Sequence, residues 1–165
     1  MKLPSSQFLS IVADLPSTLS SPSLESMIRA WDHIAERYLR RIETNRYHLG
    51  RIRSIRLLAV HDAVISIVDP GFGYIFKPTP NTRTTHAALA AAAQSAHDIL
   101  AAAFDSHADR SDLNDLLEES LALVGNETER NAGALIGSQS AATYLDTFVT
   151  LLSDPVPEQR QTAAA

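Results

Sequence analysis

Residues 84–104 read TTHAALAAAAQSAHDILAAAF. Alanine favours helix intrinsically, and its small side chain lets neighbouring helices approach closely from several sides. The stretch therefore predicts a central helix from about Thr84 to Phe104 with other helices packed around it. On its N-terminal flank, residues 70–82 hold Pro70, Pro78 and Pro80, Gly71 and Gly73, and the aromatics Phe72, Tyr74 and Phe76. Helices do not survive such a composition, which suits an irregular, partly buried loop laid across a bundle.

Further outward the periodicity is helical throughout. Met27, Ile28, Trp31, Ile34, Tyr38 and Ile42 recur at three- and four-residue steps after Ser21 and Pro22, an N-cap and first-turn pair, predicting a first helix over about 22–42. Residues 45–50 break the pattern. A second helix begins near Arg51, with Ile52, Ile55, Leu58, Ala59, Ala63 and Ile67 on one stripe, and stops before Asp69. Beyond the alanine helix, Ser111 reads as the N-cap of a fourth helix carrying Leu113, Leu116, Leu117 and Leu121, with Gly125 as terminator. A fifth, over about 127–152, places Gly133, Gly137 and Ala141 one turn apart, a groove of small residues into which another helix can press.

No stretch alternates with the period of a strand, and no repeat recurs at fixed spacing. The fold class is thus all-α: a single-domain bundle of about five long helices over 22–153, with a Pro/aromatic loop between helices two and three. Residues 1–21 form an arm whose apolar group, Phe8, Leu9, Ile11, Val12 and Leu15, suits a docking helix, and 154–165 form a tail. With 165 residues, 45% hydrophobic and 20% charged, the chain fits one core.

Composition narrows the chemistry. The chain has no cysteine, which removes disulfides, thiolate metal sites and cysteine nucleophiles, so only His, Asp and Glu could hold a metal. No apolar run approaches the ~20 residues that span a bilayer, and Pro4 with its polar neighbours breaks any signal-peptide core, so no membrane association and a cytoplasmic location are the default. A net charge of -5 argues against nucleic acid as partner. The charge is uneven: a basic segment spans Arg37 to Arg56, and residues 98–129 are acidic. Two such faces either pair and solvate one another or leave an anion site.

Trp31, then Arg53 and Arg56 leading into Leu57-Leu58-Ala59-Val60-His61-Asp62-Ala63, then the proline loop and the alanine-rich stretch, come in an order that resembles the N-terminal helical region of vanadium-dependent haloperoxidases of the chloroperoxidase type, within the phosphatidic-acid-phosphatase-type superfamily. The resemblance covers roughly Leu24 to Tyr144. It implies a scaffold, because what that family uses for catalysis lies further along: a Lys, an Arg-Pro pair, a Pro-Ser-Gly-His stretch and a late Arg and His that hold vanadate or phosphate. None of these motifs occurs here, so no catalytic residue carries over, and vanadate or phosphate is expected only if a partner supplies the motifs.

Asp62 sits on a helical stripe with Ile55, Leu58, Ala59 and Ser66, and a buried carboxylate there needs a partner. It reads as a structural residue bonded to an Arg or to loop backbone, with a catalytic role as the alternative. His61 could act as a general base but reads more simply as a boundary residue. Arg51, Arg53 and Arg56 could gather an anion at the start of the second helix, although helical spacing puts Arg51 and Arg53 on different faces. His86 and His97, about 16 Å apart along one helix, cannot share a metal ion. No Gly-x-Ser-x-Gly elbow is present. Two functions follow: a non-catalytic helical subunit that assembles with a catalytic half or with itself, its small-residue surfaces covered by that partner; or a small enzyme or binder of hydrophobic molecules with Asp62 and His61 in a pocket walled by Trp31, Phe72 and Tyr74.

Overall fold

A computed structural model describes residues 22–42, 46–104 and 106–153, and of 149–153 the backbone alone. The predicted arm and tail lie outside the described residues. Five helices and no strand occur among them: α1 (Leu24–Leu39), α2 (Arg46–Val68), α3 (Thr85–Ala102), α4 (His107–Ala122) and α5 (Glu127–Ser153). The chain is an all-α bundle.

α3 is the hub, touching each of the other four helices. Its residues Ala87 to Ala93 are all buried, as are Ser95, Ala96, His97, Ile99 and Leu100. With so little side-chain bulk, α3 lets four neighbours pack closely around it. One core lies between α1, α3 and α4 around Trp31, Ile34, Leu89, Leu100 and Leu113; the second lies between α2, α3 and α5 around Ile55, Ile67, Phe76, Ile136 and Tyr144.

The close contact of α3 with α5 has a definite cause. A Cβ on Gly133 would run into the carbonyl of Ala87, lying 2.7 Å from Ala87 C and Cα; one on Gly137 would meet the Ala91 carbonyl and lie 3.0 Å from Gln94 Cβ. Ala141 is fully buried one turn on. The groove made by Gly133, Gly137 and Ala141 is therefore filled by the alanine helix of the same chain. The expectation that a partner covers these two surfaces is corrected: they cover each other.

Three helix starts also differ from the sequence reading. Ser23, not Ser21, caps α1, its hydroxyl accepting from the Ser26 N–H at 3.1 Å. α4 opens at Ser106, whose hydroxyl faces the Asp109 N–H at 3.5 Å, so Ser111 lies within the helix. α2 begins at Arg46 and runs through Gly50, where the packing of Leu49 and Ile52 offsets a glycine cost of about 1 kcal/mol.

Gly133→Ala should destabilise the protein by about 2 to 3 kcal/mol, since a backbone atom rather than a flexible side chain must move. Chemical denaturation checks this; an unchanged midpoint would mean that α3 and α5 can separate without cost.

Candidate functional site

Asp62 lies one and a half turns before the end of α2 and has no solvent exposure. The loop that follows α2 bends back so that three successive backbone N–H groups point at its carboxylate. Tyr74 donates to Oδ1 at 2.8 Å, and Ile75 and Phe76 donate to Oδ2 at 3.0 and 2.9 Å. From α5, the Tyr144 hydroxyl donates to Oδ2 at 2.8 Å. His61 Nδ1 stands 3.1 Å from Oδ1.

Sequence makes this turn possible at two glycines. Gly71 takes φ 102°, a left-handed conformation open to glycine. At Gly73 a Cβ would collide with the Phe76 carbonyl and lie 3.4 Å from the Asp62 carboxylate.

Burial acts to raise the Asp62 pKa, but the N–H groups of Phe76, Tyr74 and Ile75 and the Tyr144 hydroxyl outweigh it and hold the carboxyl below its ordinary value. Burial, then the hydrogen bond to Asp62, pushes the Tyr144 hydroxyl far above the usual phenol range. The carboxylate stays charged and the phenol stays protonated, the pairing a hydrogen bond to an anion requires.

Of the other sequence candidates, His61 and Tyr74 meet Asp62 and the rest do not. Trp31 is buried in the first core, edge-on to His97 at 6.2 Å, whereas Phe72 and Tyr74 are 69% and 65% exposed. The three do not wall one enclosed pocket, which corrects that expectation. Tyr74 instead covers His61, with ring centroids 5.0 Å apart. The arginines are drawn towards α1: Arg53 makes a two-pronged contact with Glu36 at 2.7 and 2.9 Å, and Arg56, buried, reaches Asp32 at 2.6 Å. The hydrogen bond from Arg53 lowers the Glu36 pKa against the opposing effect of burial. Arg51 is half-buried in the second turn of α2. Paired in this way, Arg53 and Arg56 are not gathered around an anion. Of the two charged segments, Arg41 and Asp109 meet at 3.2 Å.

Sequence reasoning missed Tyr144, Gly73 and a surface. Tyr47, Leu57, Val68 and Ile75 are exposed alongside Phe72 and Tyr74. Their signal was available: Tyr47, Leu57, His61 and Val68 repeat on the face of α2 opposite its buried stripe. Among the described residues, no three His, Asp or Glu are grouped to hold a metal, and no helix is long and apolar enough to cross a membrane.

The fold and site thus define a helical bundle with a carboxylate-anchored loop. No family model, no curated protein and no solved structure matches the chain.

Asp62→Asn sets an amide N–H₂ against backbone donors and should cost about 3 kcal/mol; Tyr144→Phe should cost about 1 to 2 kcal/mol by removing one donor. Because the folded pKa of Asp62 is lowered, its contribution is complete above the unfolded value near 3.9 and is lost as pH falls through the folded one. Between about pH 5 and 2 the wild type should lose more stability than Asp62→Asn. Denaturant midpoints across that range measure it; parallel curves would remove the charge from the explanation.

Proposed function

We propose that the chain is a non-catalytic helical scaffold subunit that works by assembly and is completed by another protein chain. The observation that carries this reading is a rigidly presented apolar surface. Phe72, Tyr74 and Ile75 project outward from a loop whose backbone is fixed by four donors on one buried carboxylate. Soluble monomers rarely hold adjoining large apolar side chains in water, and contiguous patches of this kind mark interaction sites. Fixing the loop before binding also removes part of the ordering cost of association.

An acid or base needs a free oxygen facing substrate. Asp62 is enclosed and both its oxygens accept hydrogen bonds, which favours a scaffold over a pocket enzyme built on Asp62 and His61. The resemblance to the N-terminal region of vanadium-dependent haloperoxidases points the same way: any vanadate or phosphate would be held by a chain bearing the Arg-Pro and Ser-Gly-His motifs. The scaffold's contribution would be to seat that chain.

Native mass spectrometry of the protein drawn gently from its own cells, with each co-purifying chain sequenced, tests the reading. An assembly of more than one chain is expected, with neither peroxidase nor phosphatase turnover by this chain alone. A solitary monomer, or turnover by the isolated chain, would overturn it.

A further inference from the structure

The side chain of His61 is 43% exposed, and its Nδ1 lies 3.1 Å from Oδ1 of the buried Asp62. That carboxylate is held ionised and can only accept, so the proton between them belongs to Nδ1. The tautomer and the aim of the ring are fixed together. In the neutral imidazole the lone pair is then on Nε2, which points away from the interior because Nδ1 points into it. Tyr74 lies against the ring, with 5.0 Å between centroids, and limits its rotation. Among the described residues Nε2 has no hydrogen-bond partner.

On a helix the neighbours of a side chain stand three and four residues away. Those of His61 are Leu57, Leu58, Val64 and Ile65, the first exposed and the others half-buried. An oriented imidazole thus sits in a surround of hydrocarbon. A carboxylate on one ring nitrogen is the arrangement that orients metal-binding histidines at the other. A bare ion would need several protein ligands, and among the described residues no three His, Asp or Glu are grouped to supply them. A haem iron needs only an axial imidazole, because the porphyrin fills the in-plane positions, and the broad apolar ring suits a hydrocarbon surface. The other described histidines each lack a part of this arrangement. His97 is buried with both nitrogens engaged; His33 and His107 are exposed, but no carboxylate holds either ring among the described residues. His86 meets Glu129 at 3.0 Å but directly follows the polar run 81–85.

We propose that α2 carries a haem site in which His61 Nε2 is the axial ligand, with Leu57, Leu58, Val64, Ile65 and Tyr74 beneath and beside the porphyrin. Asp62 positions the ligand, and through Tyr144 the site is tied to α5. The site needs only this chain's own α2 and loop, so it stands apart from the assembly reading.

Titration of the full chain with hemin, followed through the Soret band, tests this. A shifted band that saturates at one hemin per chain is expected. His61→Gln, at an exposed position that spares the core, should weaken binding by at least about a hundredfold, the upper end of what losing even a second-sphere partner costs a metal site. His33→Gln, His86→Gln and His107→Gln should leave it unchanged. Leu57→Glu should weaken it about tenfold, the worth of one apolar side chain under the ring. Metal-free protoporphyrin has the same ring and no iron to ligate, so it should bind more weakly than hemin. Absence of a saturable Soret shift, binding indifferent to His61→Gln, an equal loss with His86→Gln, or metal-free porphyrin held as tightly as hemin would each overturn the site.

Discussion

A carboxylate without solvent exposure must be met by donors or become neutral, and at Asp62 the chain meets it with four. Those donors come from places far apart in sequence. Three are consecutive peptide N–H groups of the loop after α2, and the fourth is the Tyr144 hydroxyl of α5. One side chain therefore fixes the path of an otherwise irregular segment and ties two helices through it. A loop of proline, glycine and aromatic residues has no ladder of its own to satisfy its backbone; the carboxylate takes the place of that ladder. Gly73 completes the arrangement because a Cβ would occupy the space of the Phe76 carbonyl.

Turning N–H groups inward decides where the loop side chains go. Phe76 enters the second core and anchors the far end of the turn, while Phe72, Tyr74 and Ile75 are left outside. Tyr74 then lies over His61, so the loop surface continues onto the outer face of α2. α1 shows what an ordinary outer helix of this bundle looks like: its outward residues include Glu25, Arg29, His33 and Arg37, and Glu25 and Arg29 pair with each other. Against that, Tyr47, Leu57 and Val68 of α2 and Phe72, Tyr74 and Ile75 of the loop are large apolar side chains left exposed.

Helix count, helix order and the nature of the loop were legible because hydrophobic spacing and alanine content are local quantities. Helix starts were less so, since Ser21, Ser23, Ser106 and Ser111 all offer the same capping hydroxyl and only packing selects among them. The need of Asp62 for a partner could be read from its stripe; its choice of loop N–H groups over Arg53 or Arg56 could not, because both arginines are captured by α1 carboxylates through contacts that sequence does not display. Tyr144 is 82 residues away, and nothing nearby marks it. The Gly133, Gly137 and Ala141 groove was visible as a place for a helix, but whether that helix is α3 or another chain's is a question of topology. Conversely, the exposed Tyr47, Leu57 and Val68 of α2 lie off the stripe that reads as its core, so the pattern that marks the core passes over them.

The polar groups inside the bundle strengthen the case for a scaffold. Ser140 Oγ donates to the Ala59 carbonyl at 2.7 Å, joining α5 to α2, and His97 spans from Asp98 on α3 to Asn114 on α4 at 2.7 and 2.8 Å. Ser66 and Ser120 donate to carbonyls of their own helices. A catalytic group must keep a lone pair or a proton for substrate, whereas these hydroxyls and rings use theirs to hold one helix against another. The described buried atoms without a partner, Trp31 Nε1, Arg56 Nε and Ser95 Oγ, are a ring N–H, a guanidinium N–H and a single hydroxyl, and neither of the first two can act as a base or nucleophile. Asp62 does the same for the surface: the loop it holds carries Phe72, Tyr74 and Ile75 outward.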